Sequence, residues 1–268
     1  MKTSMIALTL AGLTALPLSA QERFAMPVTA QVLPGWVQSD GTRVAAVHLS
    51  LEPGWKTYWR APGDAGIPPS FDWSGSNNLK SASVSWPTPK VFEENGMRSI
   101  GYADELVIPV TLAPKRTGDP VRVRLTMDIG ICSDICIPHQ LTFDETISST
   151  ETRPTPAIAA ALAQSPYSER EAGVTAAKCR IEPTPDGLRI EARVRVPSAG
   201  GPEVMVIEPG LGDVWVSETD THRSGGEVIA VSEMIHVNGG PIALDRSNIR
   251  MTVLGSNHAV DVKGCTPG

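Results

Sequence analysis

The chain has 268 residues, 41% of them hydrophobic, which suits one large or two modest globular domains. Its formal net charge is −6, and lysine and arginine are scattered with no basic run. That removes the electrostatic ground for expecting nucleic acid or an anionic membrane surface as partner. No G-x-S-x-G, H-E-x-x-H or P-loop segment occurs, so a classical hydrolase is unsupported and no cofactor is expected.

Residues 1–20, "MKTSMIALTLAGLTALPLSA", place Lys2 before an apolar run and small Ala20 before polar Gln21. This is the layout of an export signal cleaved after Ala20. The apolar run falls short of the ~20 residues a spanning helix needs, and no later segment approaches that length. The mature protein is therefore expected to be exported and not itself membrane-spanning.

Short alternating segments follow: "VAAVHLSL" (44–51), "ELVIPVTL" (105–112), "VRVRLTMDIGI" (121–131) and "LTFDETI" (141–147). Further on come "LRIEARVRV" (188–196), "EVMVIEP" (203–209), "VIAVSEMIHV" (228–237) and "IRMTVLG" (249–255). Apolar residues at every second position between Gly, Pro and Asn-Gly turns predict an all-β chain of antiparallel sandwiches. One segment differs. Residues 155–173 are Ala-rich, begin at Thr155-Pro156 and end near Gly173, which predicts a short helical linker. The expected organisation is a signal at 1–20, a first β domain at 22–150, the linker at 151–173 and a second small β-rich domain at 174–268. Five of the six tryptophans fall in the first domain. Trp55, Trp59, Trp73 and Trp86 are read chiefly as core or edge packing, with a partner groove as the other use of such residues. Arg60 and Asp64 are weaker candidates for partner contacts.

An exported chain can keep disulfides, and its four cysteines allow three pairings. Cys179 and Cys265 bracket a loop of about 87 residues, whose closure is worth about 4.6 kcal/mol in the chain-entropy model. They are expected to form a structural disulfide tying the start of the second domain to its end. Cys132 and Cys136 sit in "DIGICSDICIPHQ" (128–140). Along one straight strand they would lie about 13 Å apart, beyond the reach of a disulfide, which needs Cα atoms within about 7 Å. They can pair if Ser133-Asp134-Ile135 is a three-residue hairpin loop. Pro138 would then place the hairpin at a sheet edge or end. Closing so short a loop contributes only about 2 kcal/mol. Three uses stay open on the residues alone: a redox pair, a plain staple, or a soft-metal site in which His139 joins Cys132 and Cys136. Met97 and Met127 are possible thioether ligands for that site. Asp128 and Asp134 would disfavour a nearby thiolate, although Asp134 also reads simply as a turn former.

Three runs in order, "GWKTYWRAPGDAGIPPSFDWSGSNN" (54–78), "SWPTPKVFEENGMRSIGYADELVIPV" (85–110) and "GICSDICIP" (130–138), resemble the N-terminal periplasmic domain of the DsbD family. These are thiol:disulfide interchange proteins, including the copper-sensitivity-suppressor branch. The resemblance covers about residues 30–147, and the second domain fits that branch's longer N-terminal region more loosely. It implies an immunoglobulin-like sandwich with Cys132 and Cys136 as the redox pair on adjacent strands. It further implies a periplasmic location, a membrane-embedded thiol:disulfide interchange protein as electron donor, and thioredoxin-like or other periplasmic thiol proteins as acceptors. The family's better-known members space these cysteines more widely and cover them with an aromatic-tipped loop. Here the corresponding loop, "VFEENGMRSIGY" (91–102), has Asn95-Gly96 at its expected tip. Phe92, Met97 and Tyr102 from that loop, with Asp134, are the candidate cap or partner-contact residues. The chain carries neither a membrane domain nor a thioredoxin-like domain, so a freestanding protein that meets its donor separately is expected.

Overall fold

The computed structural model describes residues 26–64, 66–94 and 96–268. The expected signal, residues 1–20, lies outside them, and so does Asn95. Ten strands come first: β1 (Val28–Val37), β2 (Arg43–Leu51), β3 (Lys56–Tyr58), β4 (Ser70–Asp72), β5 (Leu79–Val84), β6 (Lys90–Glu94), β7 (Met97–Ala103), β8 (Glu105–Pro114), β9 (Val121–Cys132) and β10 (Cys136–Ile147). They form two sheets, β1-β2-β8-β5 and β10-β9-β3-β7-β6, with β4 also paired to β9. Side chains alternate across a strand, so each strand feeds the core with every second residue. In β9 these are Val121, Val123, Leu125, Met127, Ile129 and Ile131, all buried. From the opposite sheet Ala45, Val47, Leu49 and Leu51 of β2 meet them in one core. Trp59 is fully buried there, and Trp55, Trp73 and Trp86 pack against it.

β2 is buried on its other face as well. Val44 and Ala46 point away from the core and are covered by Ile158 of helix α1 (Pro156–Ala163). Pro156 stands in the first turn, where its missing N–H costs nothing. The segment 155–173 is not one helix, however. Pro166 disfavours helical geometry at Ser165, and the chain passes through β11 (Tyr167–Ser168) into α2 (Glu169–Ala172). A reciprocal Ser168–Glu171 capping box opens α2 and Gly173, at φ +69°, closes it.

Nine further strands follow: β12 (Ala176–Pro183), β13 (Leu188–Arg195), β14 (Val204–Glu208), β15 (Val214–Val216), β16 (Asp220–Ser224), β17 (Glu227–His236), β18 (Arg250–Leu254), β19 (Ala259–Lys263) and β20 (Thr266–Pro267). The sheets β11-β19-β18-β14 and β15-β17-β13-β12-β20, with β16 beside β17, enclose a second core. Cys179 of β12, fully buried in that core, is bonded to Cys265 with Cα atoms 5.7 Å apart.

The two sandwiches meet directly. Leu254 and Ala259 complete the first core. Arg60 lies 3.9 Å over the Trp59 ring. Its Nε and Nη2 donate to the Glu208 carboxylate at 3.0 and 2.9 Å, and Nη2 also donates to Thr252 Oγ1 at 3.2 Å. Arg60 therefore serves an internal contact, and Asp64 lines the cleft between the sandwiches. A second tie runs from β7: the Arg98 amide donates to Glu218 Oε1 at 3.0 Å and its guanidinium to the Thr219 carbonyl at 3.2 Å. Breaking a largely desolvated bidentate pair from one side costs more than the pair contributes, because the other charge is stranded. Arg60→Met is expected to destabilise the protein by about 3 kcal/mol in denaturant unfolding. Glu208→Gln added to it should cost much less than the sum of the two single changes.

Candidate functional site

The β9–β10 hairpin sets the site. Ser133, Asp134 and Ile135 form its loop, with the Ser133 N–H donating to the Ile135 carbonyl at 3.0 Å. The antiparallel register puts Cys136 directly opposite Cys132, and the two are joined in a disulfide. Their Cα atoms are 4.2 Å apart, the close spacing of a non-hydrogen-bonded pair. Pro138, opposite Gly130, falls two residues on at the same kind of position. An N–H there points away from the neighbouring strand, so proline removes no ladder bond. β10 is a sheet edge, in keeping with that proline.

Core-facing residues of β9 are odd-numbered, so Cys132, Gly130 and Asp128 share the outer face. Cys132 is nevertheless only 1% exposed, whereas Cys136 is open to solvent. β3 supplies the cover. Lys56 is paired with Cys132 in register, and Lys56 and Tyr58 lie on the face that carries the cysteines. The Tyr58 hydroxyl donates to Cys132 Sγ at 2.8 Å and stands 3.3 Å from Cys136 Sγ. Tyr58 can cross β9 here because residue 130 is glycine. A Cβ at that position would lie 2.7 Å from Ile67 Cβ and 3.0 Å from the Tyr58 ring. Burial, with a smaller contribution from the Glu94 carboxylate, raises the Tyr58 pKa above the ordinary phenol value. The hydroxyl is thereby kept protonated, as a donor to sulfur.

Lys56 is itself buried, at 8% exposure. Its Nζ donates to Glu94 Oε2 at 2.6 Å and Ser99 Oγ at 3.2 Å, and stands 5.2 Å from the centre of the Phe92 ring. Lys56, Tyr58, Glu94, Ser99 and both cysteines line one cleft of about 540 Å³.

Only two of the four expected cap residues line the cleft. Met97, 57% exposed, and Asp134 line the cleft with the cysteines. Phe92 lies beside the Lys56 ammonium and does not line the cleft. Tyr102 is no contact residue. Five positions from Met97 in β7, it faces the other way, is 6% exposed, stacks on Trp86 and donates to the Pro87 carbonyl at 2.8 Å. The soft-metal grouping does not assemble either. His139 is three residues from Cys136 on one strand and so projects from the opposite face. Met127 is buried in the core. Among the described residues no three His, Cys, Asp or Glu side chains are grouped to hold a metal ion. Asp128 is held by Ser70 at 3.1 Å and Gln140 at 2.8 Å. Sequence reasoning missed Lys56, Tyr58, Glu94 and Ile135, the last 61% exposed at the hairpin tip. Gly130, a glycine inside a β-branched strand, was the one local sign that another group crosses there.

Residues 21–148 match the family model described as thiol:disulfide interchange protein DsbD, N-terminal. That match spans 128 of the 268 residues and covers the first sandwich, which is similar to the DsbD N-terminal domain. The crystal structure of the N-terminal periplasmic domain of ScsB from Proteus mirabilis is similar in fold, with a TM-score of 0.68 at 18% identity. That match covers 94% of this chain and 97% of the other, so the shared architecture includes both sandwiches. The reduced Neisseria meningitidis DsbD N-terminal domain matches at a TM-score of 0.27 and 19% identity, over 46% of this chain and 90% of that one. No curated protein matches the chain.

Gly130→Ala should push Tyr58 and Ile67 away from β9 at a cost of about 1–3 kcal/mol. Tyr58→Phe, which removes only the hydroxyl, should cost about 1 kcal/mol. Denaturant midpoints compare the two, and a Gly130→Ala cost no larger than that of Tyr58→Phe would contradict the close approach.

Proposed function

We propose that this protein is a periplasmic thiol–disulfide exchange protein that works through Cys132 and Cys136. It takes electrons from a membrane-embedded thiol:disulfide interchange protein and passes them to thioredoxin-like or other thiol proteins. The observation that carries this reading is the asymmetry of the pair: one sulfur is open at a sheet edge, and the other lies buried under a hydrogen-bond donor. The match of the first sandwich to the DsbD N-terminal family model supports it, as does the periplasmic origin of the Proteus domain of similar fold. Among the described residues no helix is long and apolar enough to cross a membrane.

The mechanism follows from access. An incoming thiolate reaches Cys136, forms a mixed disulfide there, and expels Cys132 as the leaving thiolate. The Tyr58 hydroxyl, already bonded to Cys132 Sγ, receives the developing charge. In the reverse direction the Cys136 thiolate attacks an oxidised partner and Cys132 resolves the mixed disulfide. The partner contact is the exposed apolar pair Met97, at the start of β7, and Ile135, in the β9–β10 loop, with the Asp134 carboxylate between the hairpin cysteines. Cys179–Cys265 takes no part in exchange. It is a structural staple whose large loop gives it a stabilising value of about 4.6 kcal/mol in the chain-entropy model.

Single cysteine variants test the division of labour. Cys132→Ser leaves the exposed thiol and is expected to form mixed disulfides with an activated aromatic disulfide at least about tenfold faster than Cys136→Ser does. Equal rates, or a faster Cys132 thiol, would contradict the assignment of Cys136 as the exchanging sulfur.

A further inference from the structure

Lys56 has no part in the exchange reading above, yet it is the cation placed closest to the chemistry. It sits opposite Cys132 on β3, so the two Cβ atoms are separated by about 5 Å and point to the same side. The other groups facing the Cys132 sulfur are Tyr58 from β3, Glu94 from β6, Asp134 from the hairpin loop and Cys136 from β10. Asp128, two positions beyond Gly130 on the same face, is occupied by Ser70 and Gln140. Of the charged groups lining the cleft, two are carboxylates and Lys56 is the single cation among the described residues.

A thiolate released at a position 1% exposed is disfavoured by lost hydration, and two nearby carboxylates add to that penalty. Resting on the exchange reading, we propose that Lys56 supplies the charge that stabilises the departing Cys132 thiolate, and that Glu94 competes with the thiolate for it. Glu94 and Ser99 take two of the three ammonium N–H groups. The third is left for the sulfur once the disulfide opens. Glu94 thus attenuates the lysine and sets the pair's reactivity below what an unopposed ammonium would give.

The step balances with a dithiol as reductant. One thiolate of the dithiol bonds to Cys136 Sγ, the Cys132–Cys136 bond breaks, and its electron pair remains on Cys132 Sγ beside Lys56. The second sulfur of the dithiol, once deprotonated, attacks the first and expels Cys136 as thiolate. The dithiol ends as a disulfide, the protein pair gains two electrons, and both cysteines take up protons released by the dithiol.

The two members of the ion pair should therefore act in opposite directions, which a merely structural salt bridge would not do. The probe is dithiothreitol acting on the oxidised full protein across pH, with alkylation of Cys132 in the reduced Cys136→Ser protein read in parallel. Lys56→Met is expected to raise the pH midpoint of Cys132 alkylation by about one unit and slow reduction about tenfold. Glu94→Gln should lower that midpoint and speed reduction, and Lys56→Arg should stay near the parent, which also controls for folding. Midpoints that move the same way in Lys56→Met and Glu94→Gln, or do not move, overturn the role of Lys56 while leaving the exchange reading intact. A parent protein whose Cys132–Cys136 bond dithiothreitol does not open overturns both.

Discussion

The antiparallel register of β9 and β10 is the constraint from which the site follows. Setting Cys136 opposite Cys132 decides which face of the sheet carries the sulfurs, and strand periodicity then decides everything that can reach them. Gly130 lies two residues back on the same face and opens the lane for Tyr58. Lys56 comes into register from the other neighbour of β9. A slip of one residue would turn the sulfurs into the core and bring Ile131 out. The five inward apolar residues that precede Ile131 along β9 are what prevent that slip. The hydrophobic core thus fixes the redox geometry.

The second sandwich also anchors the chain that carries this geometry. Arg60 follows Tyr58 by two residues and is clamped to Glu208, while Arg98 follows Met97 and is tied to Glu218 and Thr219. Each anchor is thus next to, or two residues from, a group that lines the cysteine cleft, while itself lining the separate cleft between the sandwiches. Arginine suits position 60 because its planar fork donates to a carboxylate at two points and its face lies over Trp59. The chain around Tyr58 and Met97 is thus tied to the second sandwich as well as packed against the first core.

Much of this was legible in the sequence, for identifiable reasons. The strand segments and the hairpin loop are local patterns: period-two apolar residues, Ser-Asp turn chemistry, and a proline that demands an edge. The linker was only partly legible, because an Ala-rich composition outweighed Pro166, which ends α1 and lets a two-residue strand intervene. The shell around the sulfurs was hidden by distance, with Tyr58 74 residues from Cys132 and Lys56 38 residues from Glu94. No periodicity reports which strands become neighbours at such separations. Tyr102 and His139 were misplaced for a different reason: both lie an odd number of residues from the group they were meant to join. Parity alone would have removed them once their segments were read as strands. Arg60 read as a surface residue because nothing local announces the second sandwich that covers it.

The central claim is that the two disulfides differ in kind, one made to open and the other to stay closed. Equilibrating the mature protein in thiol–disulfide buffers, trapping free thiols by alkylation and counting labels by mass measures both pairs at once. The account expects Cys132–Cys136 to titrate with a midpoint between about −270 and −120 mV, the range spanned by thioredoxin and a strong periplasmic oxidant, while Cys179–Cys265 remains oxidised. A Cys132–Cys136 pair that resists reduction as strongly as Cys179–Cys265 would be a second staple, and the exchange function would be contradicted.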